Sequence, residues 1–164
     1  MTAYEPGQWS DLFVATAGAS AALAGLVFVA VSINIERILR YKGLPDRALE
    51  TVLLLLGVLL VSVVGLIPGQ SHVALGAELL VVSLILGTVI ARLPTIHEAS
   101  AQQPAAWLWG RWSVRVAGTV PFVIGAVSIL AESGGGLYWI VAGIVFAVTG
   151  AVINAWVLLV EILR

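Results

Sequence analysis

The chain has 164 residues, of which 60% are hydrophobic and 10% charged, and its mean hydropathy is +1.07. A soluble domain of this length needs a polar surface that such a composition does not supply, so the class is an all-α polytopic membrane helix bundle, a single transmembrane domain over 1–164. The lack of cysteine excludes a disulfide framework and thiol chemistry, and the net charge of −1 says nothing about partners because the charges are sorted by position.

Residues 1–10 read as a short tail with Tyr4 and Trp9 as interfacial anchors. The first eleven residues hold Glu5 and Asp11 but no Lys or Arg. That is unlike the basic leader of a secretory signal, so the first helix is expected to stay in the mature protein. Span one is predicted from about Ser10 to Ile35. Within it, Leu12–Asn34 (LFVATAGASAALAGLVFVAVSIN) carries no charge and is long enough to cross a bilayer. Ala15, Gly18, Ala22, Gly25, Val29 and Ser32 recur at spacings of three and four, which lines one helical face with small groups. Such faces let helix backbones come close in lipid, so this helix is expected at the centre of a bundle or of an oligomer.

The first loop holds Arg37, Arg40, Lys42 and Arg47, and Pro45 suits the first turn of the next helix. Span two is predicted over 49–67. Its LLLLGVLLVSVVGLI run is bulky nearly all round, which marks it for lipid contact, and Pro68-Gly69 breaks it. Span three, over 72–93, carries a small ladder at Ser83, Gly87 and Ala91 and is interrupted by Glu78. The segment 95–110 is expected as a loop or short surface helix. Span four covers 111–131 with Pro121 inside it, where a missing backbone bond should kink the helix. After the Ser133–Gly136 turn, span five covers 137–162 with a second small ladder at Gly143, Ala147, Ala151 and Ala155. All eight basic residues then fall in alternate connections, on one side of the membrane, which predicts the N-terminus outside and the C-terminus in the cytoplasm. Trp9 and Tyr138-Trp139 form the outer aromatic belt in this topology; Trp107, Trp109, Trp112 and Trp156 form the inner one.

Six residues stand out as a polar network or pore lining. Glu78 lies roughly 9 Å below the outer end of its helix, where a lipid-facing carboxylate is costly. It reads as an ion site near an outer mouth, against the plainer reading of a carboxylate that reaches the headgroups or bonds a neighbouring helix. Asn34 and Asn154, near the inner ends of spans one and five, could bond each other or line a vestibule. Glu36, Arg111 and Arg115 are expected at the inner rim, the arginines as anion or lipid contacts or simply as topogenic charge. The two histidines, His72 and His97, fall on opposite faces and cannot share a haem. No metal-ligand spacing, phosphate loop or nucleophile–base pair is apparent, so neither an enzyme nor a cofactor is expected.

The segment LFVATAGASAALAGLVFVAVSINIERIL resembles the opening helix of a family of small bacterial, especially actinobacterial, membrane proteins. Most of that family have no known function, and some are labelled modulators of the FtsH protease. The resemblance covers Leu12–Leu39; it implies a bacterial plasma membrane and brings no catalytic residues with it. Partners expected from the whole reading are the lipid bilayer, further copies of the chain and another membrane protein, without nucleic acid. Two functional classes follow: an oligomer with an axial pore for ions or small solutes, or a non-conducting regulatory or accessory protein docked on another membrane complex.

Overall fold

Five helices are long and apolar enough to cross a membrane, in a computed structural model that describes residues 2–41, 43–93 and 105–163. The helices are α1 Ser10–Ile33, α2 Ile35–Arg40, α3 Leu44–Gly65, α4 His72–Arg92, α5 Ala105–Leu130 and α6 Leu137–Leu163, preceded by two short 3-10 turns. His97, Lys42, Arg164 and most of the 95–110 segment lie outside the described residues, as do the side chains of Trp107, Trp109 and Arg111.

Local chemistry sets the boundaries. Asn34 leaves helical geometry (φ −108°, ψ 16°), which separates α1 from the short α2. Gly43 turns the chain at φ 91°, a left-handed conformation that glycine adopts without a Cβ penalty, and Pro45 follows in the first turn of α3. Ser71 caps α4, its Oγ accepting from the Ala74 N–H at 3.2 Å. The α5–α6 turn is held by Ser128. Its Oγ donates to the Ser133 carbonyl and accepts from the Gly136 N–H at 2.7 Å.

Helices α3, α4, α5 and α6 form a four-sided bundle in which each packs on two neighbours, and α1 lies outside it along α3. This corrects the expected lipid-facing role of span two and the expected place of span one at the centre of the bundle. Only 11% of the apolar window of α1 is buried, against 56% for α3. The reason is volume: Leu54, Leu55, Val58 and Val61 of α3 fill the interior that four helices enclose, so the bulkiest helix is central rather than lipid-facing. One anchor of α1 is Phe13, whose ring sits so close to Gly65 that a Cβ there would meet it at 2.6 Å.

Two boundaries also move. The second spanning helix starts at Leu44, five residues before the predicted 49, because Gly43 and Pro45 nucleate it there. The 105–110 backbone continues α5 rather than forming a separate surface helix or loop. At one end of the bundle the Trp9 and Tyr138 rings meet edge to face with centroids 4.9 Å apart, and the Tyr4 hydroxyl accepts from the Gly135 N–H at 3.2 Å. The opposite end carries Arg37, Arg40 and Arg92, and an apolar cluster of Ile38, Leu44, Ala48 and Leu158.

Candidate functional site

The described residues concentrate their buried charge at the arginine end, where Glu50 of α3, Arg115 of α5 and Asn154 of α6 converge. Glu50 is 1% exposed, Arg115 2% and Asn154 7%. Each lies on the inward stripe of its helix. Glu50 precedes Leu54, Val58, Val61 and Gly65; Arg115 precedes Thr119, Phe122, Ala126 and Ile129; and Asn154 falls between Ala151 and Leu158. Spacings of three and four therefore put all three polar groups in the core.

The Arg115 guanidinium donates to Glu50 Oε2 through Nε at 3.0 Å and Nη2 at 2.8 Å. Its Nη1 donates to the Leu93 carbonyl at the end of α4, at 3.3 Å. Asn154 Nδ2 donates to Glu50 Oε1 at 3.4 Å. One guanidinium thus ties α3 to α5 and satisfies a helix-end carbonyl of α4, and the amide adds α6. Two unlike charges hydrogen-bonded at this distance in a low-dielectric interior stabilise each other strongly, and either alone would be costly there. Chemically the arrangement is a four-helix clasp, with each polar group engaged by protein.

The predicted residues are distributed as follows. Arg115 is not a rim charge but the centre of the clasp; it points inward because its position on α5 is in register with Phe122 and Ala126. Arg111 starts the same register one turn earlier, and its side chain lies outside the described residues. Asn34 and Asn154 do not bond each other: Asn34 Nδ2 donates back to the Ala30 carbonyl at 2.9 Å, while Asn154 serves Glu50. Glu36 is exposed in the first turn of α2, where its charge suits the helix N-terminus. Glu78 is exposed on α4, and its Oε2 accepts from Gln70 Nε2 at 2.6 Å, so the carboxylate reaches toward the Trp9 end of the bundle.

Sequence reasoning missed Glu50, because starting the helix at 49 left it at a polar edge. Pro45 was the signal: a helix beginning there carries Glu50 a full turn inside, on the face of Leu54 and Val58.

The small-residue faces divide sharply. On α6, Gly143 lies against the Phe122 ring, and Ala147 and Ala151 are buried, Ala147 against Gly118 of α5. On α1, Ala15, Gly18, Ala22, Gly25, Val29 and Ser32 are all exposed. Among the described residues no atom lies within 4 Å of where a Cβ on Gly18 or Gly25 would stand. The crevice among α3, α4 and α5, lined by Leu54, Gly57, Ser83 and Thr119, has about 10 Å³, the lower limit for one water. Its hydroxyls turn back on their own helices, Ser83 to the Leu79 carbonyl at 2.6 Å and Thr119 to the Arg115 carbonyl at 2.7 Å.

Compared with known families, curated proteins and solved structures, the chain matches none of them.

Proposed function

We propose that this chain is a non-conducting regulatory or accessory protein of a bacterial plasma membrane, N-terminus outside, that self-associates through the outer face of α1. The observation that carries this reading is the unfilled α1 stripe. Elsewhere the chain seats side chains against its small residues, Phe122 on Gly143, Ile140 on Gly125 and Val114 on Gly150. On α1 the equivalent residues point away from α3 and from the rest of the bundle. Each glycine in a helix costs about 0.5–1 kcal/mol against alanine, and nothing among the described residues packs close enough to offset that at Gly18 and Gly25. A second α1 crossing the stripe would, because in lipid close backbone approach and weak hydrogen bonds hold helices together.

The closed clasp and the filled interior support the non-conducting half of the reading. A conduit inside one protomer would need polar groups facing water at mid-depth, and the buried ones described here, Ser62, Ser83, Thr119 and the Glu50–Arg115–Asn154 cluster, bond protein. The test is the oligomeric state of the wild type and of Gly25→Leu in mild detergent, by native mass spectrometry, with ion flux measured on reconstituted wild type. An oligomer that Gly25→Leu dissolves, without flux, is the expected result. A monomeric wild type would overturn the self-association, and a closed ring that passes ions would overturn the absence of conduction.

A further inference from the structure

A groove of about 440 Å³ separates the second half of α1 and the start of α2 from α6. Leu26 and Ala30 form one wall and Ala155 and Leu159 the other; Asn34 and Arg37 close the end. It exists because α1 follows α3 and only grazes α6, and because small residues, Ala30 and Ala155, face each other across the gap. It is not the stripe of Gly18 and Gly25. At ~100° per residue, Ala30 lies about 120° around the helix from Gly18.

Both walls belong to membrane-spanning helices, so the groove opens sideways onto hydrocarbon rather than onto water. Asn34 turns its amide donor to the Ala30 carbonyl, which leaves the adjacent wall apolar. A recess of this kind is filled by what surrounds it, a lipid tail, since water there would lack partners. Arg37 stands at the end of the groove, and Arg40 is one turn further along the same short helix and exposed. A basic end on an apolar slot between spanning helices complements a phosphate headgroup joined to an acyl chain.

We propose that the α1–α6 groove binds an anionic phospholipid, one acyl chain lying between Ala30 and Ala155 and the phosphate held by Arg37 with Arg40 beside it. The site rests on the membrane setting alone and is independent of self-association through α1.

The test is native mass spectrometry of the delipidated full-length protein offered phosphatidylglycerol and phosphatidylcholine with the same acyl chains. The wild type should retain phosphatidylglycerol in preference. Arg37→Gln should lower that preference roughly five-fold, the attraction of one basic side chain at an anionic surface, and leave phosphatidylcholine retention unchanged. Ala30→Phe and Ala155→Phe fill the slot from opposite walls and should reduce retention of both lipids, with helical content unchanged. Arg37→Gln, at an exposed position, carries the test if either filled variant fails to fold. Equal retention of the two lipids by the wild type would overturn the proposal. So would an Arg37→Gln protein with undiminished preference, or folded filled variants that keep their lipid. If Ala30→Phe instead separates protomers and leaves lipid retention unchanged, the groove houses protein, and the proposal fails.

Discussion

Removing one member of the Glu50–Arg115 pair should cost more than removing both. In Glu50→Leu the guanidinium loses the acceptor of two short bonds, at 2.8 and 3.0 Å, and keeps only the Leu93 carbonyl among these partners. Its charge is then left 2% exposed among four helices, and breaking a buried pair in this way typically costs about 3–5 kcal/mol. Arg115→Met strands the carboxylate with the Asn154 amide at 3.4 Å and should cost a similar amount. In the double variant neither charge is present and the volume is largely kept, so the loss should fall to about 1–2 kcal/mol, the remaining cost being the bonds lost at the Leu93 carbonyl and the Asn154 amide. The cycle therefore predicts a coupling of several kcal/mol. Reversible unfolding in mixed micelles, titrated with a denaturing detergent and followed by far-UV circular dichroism, measures all four species. Single variants that each lose under about 1 kcal/mol, with losses that add in the double, would refute the reasoning. They would mean that water reaches the pair and screens it.

Four further outcomes follow. Gly143→Leu should destabilise the fold by about 1–3 kcal/mol, since even its Cβ meets the Phe122 ring at 2.8 Å, whereas Gly25→Leu should not lower the thermal stability of the protomer. Arg115→Lys should not rescue the clasp in the same unfolding assay, because an ammonium is a point charge that lacks the planar fork reaching both Glu50 Oε2 and the Leu93 carbonyl. Thr16→Val removes the 2.8 Å hydroxyl contact between α1 and Ser62 of α3 and should cost only about 0.6 kcal/mol, measured by the same titration. Glu78→Gln should change neither oligomeric state nor ion flux, because the exposed carboxylate is bonded to Gln70 at one end of its helix.

The number and approximate positions of the spanning helices were legible because an apolar run of about 20 residues has few other fates, and because Pro68-Gly69 and Gly134–Gly136 punctuate the chain where turns occur. Which helix lies inside was not legible. In water, bulk and burial go together through the hydrophobic effect; in lipid both faces of an apolar helix are equally well solvated. The LLLL run of α3 therefore carried no sign of its direction. The polar residues within the spans carried that sign instead. Glu50, Thr51 and Ser62 are all buried on α3, and a carboxylate six residues into an apolar helix must face protein if it is to be charged. Arg115 was visible, but its partner was not, since a pair separated by 65 positions leaves no local pattern. The placement of the α6 ladder follows from the same logic, with Phe122 inserted at Gly143.

The contrast between α1 and α6 bears on why the first helix is built so lean. Small residues gain stability in a membrane only where another helix comes close enough to use them; elsewhere they lose van der Waals contact and, for glycine, conformational entropy. On α6 the close approach is internal, with Ala147 against Gly118 and Phe122 over Gly143. On α1 the inward face is already complete, with Phe13 wedged on Gly65, Thr16 bonded to Ser62 and Ser20 buried. Packing among the described residues therefore does not explain the outward stripe. A helix selected only to face lipid would gain from larger side chains at Gly18, Ala22 and Gly25, as Leu26 and Phe28 do on neighbouring positions. Substituting leucine at all three should leave the protomer folded and, if its outward face meets only lipid, change nothing else. Loss of the oligomer in that variant, read by native mass spectrometry, is the outcome that the proposed self-association predicts.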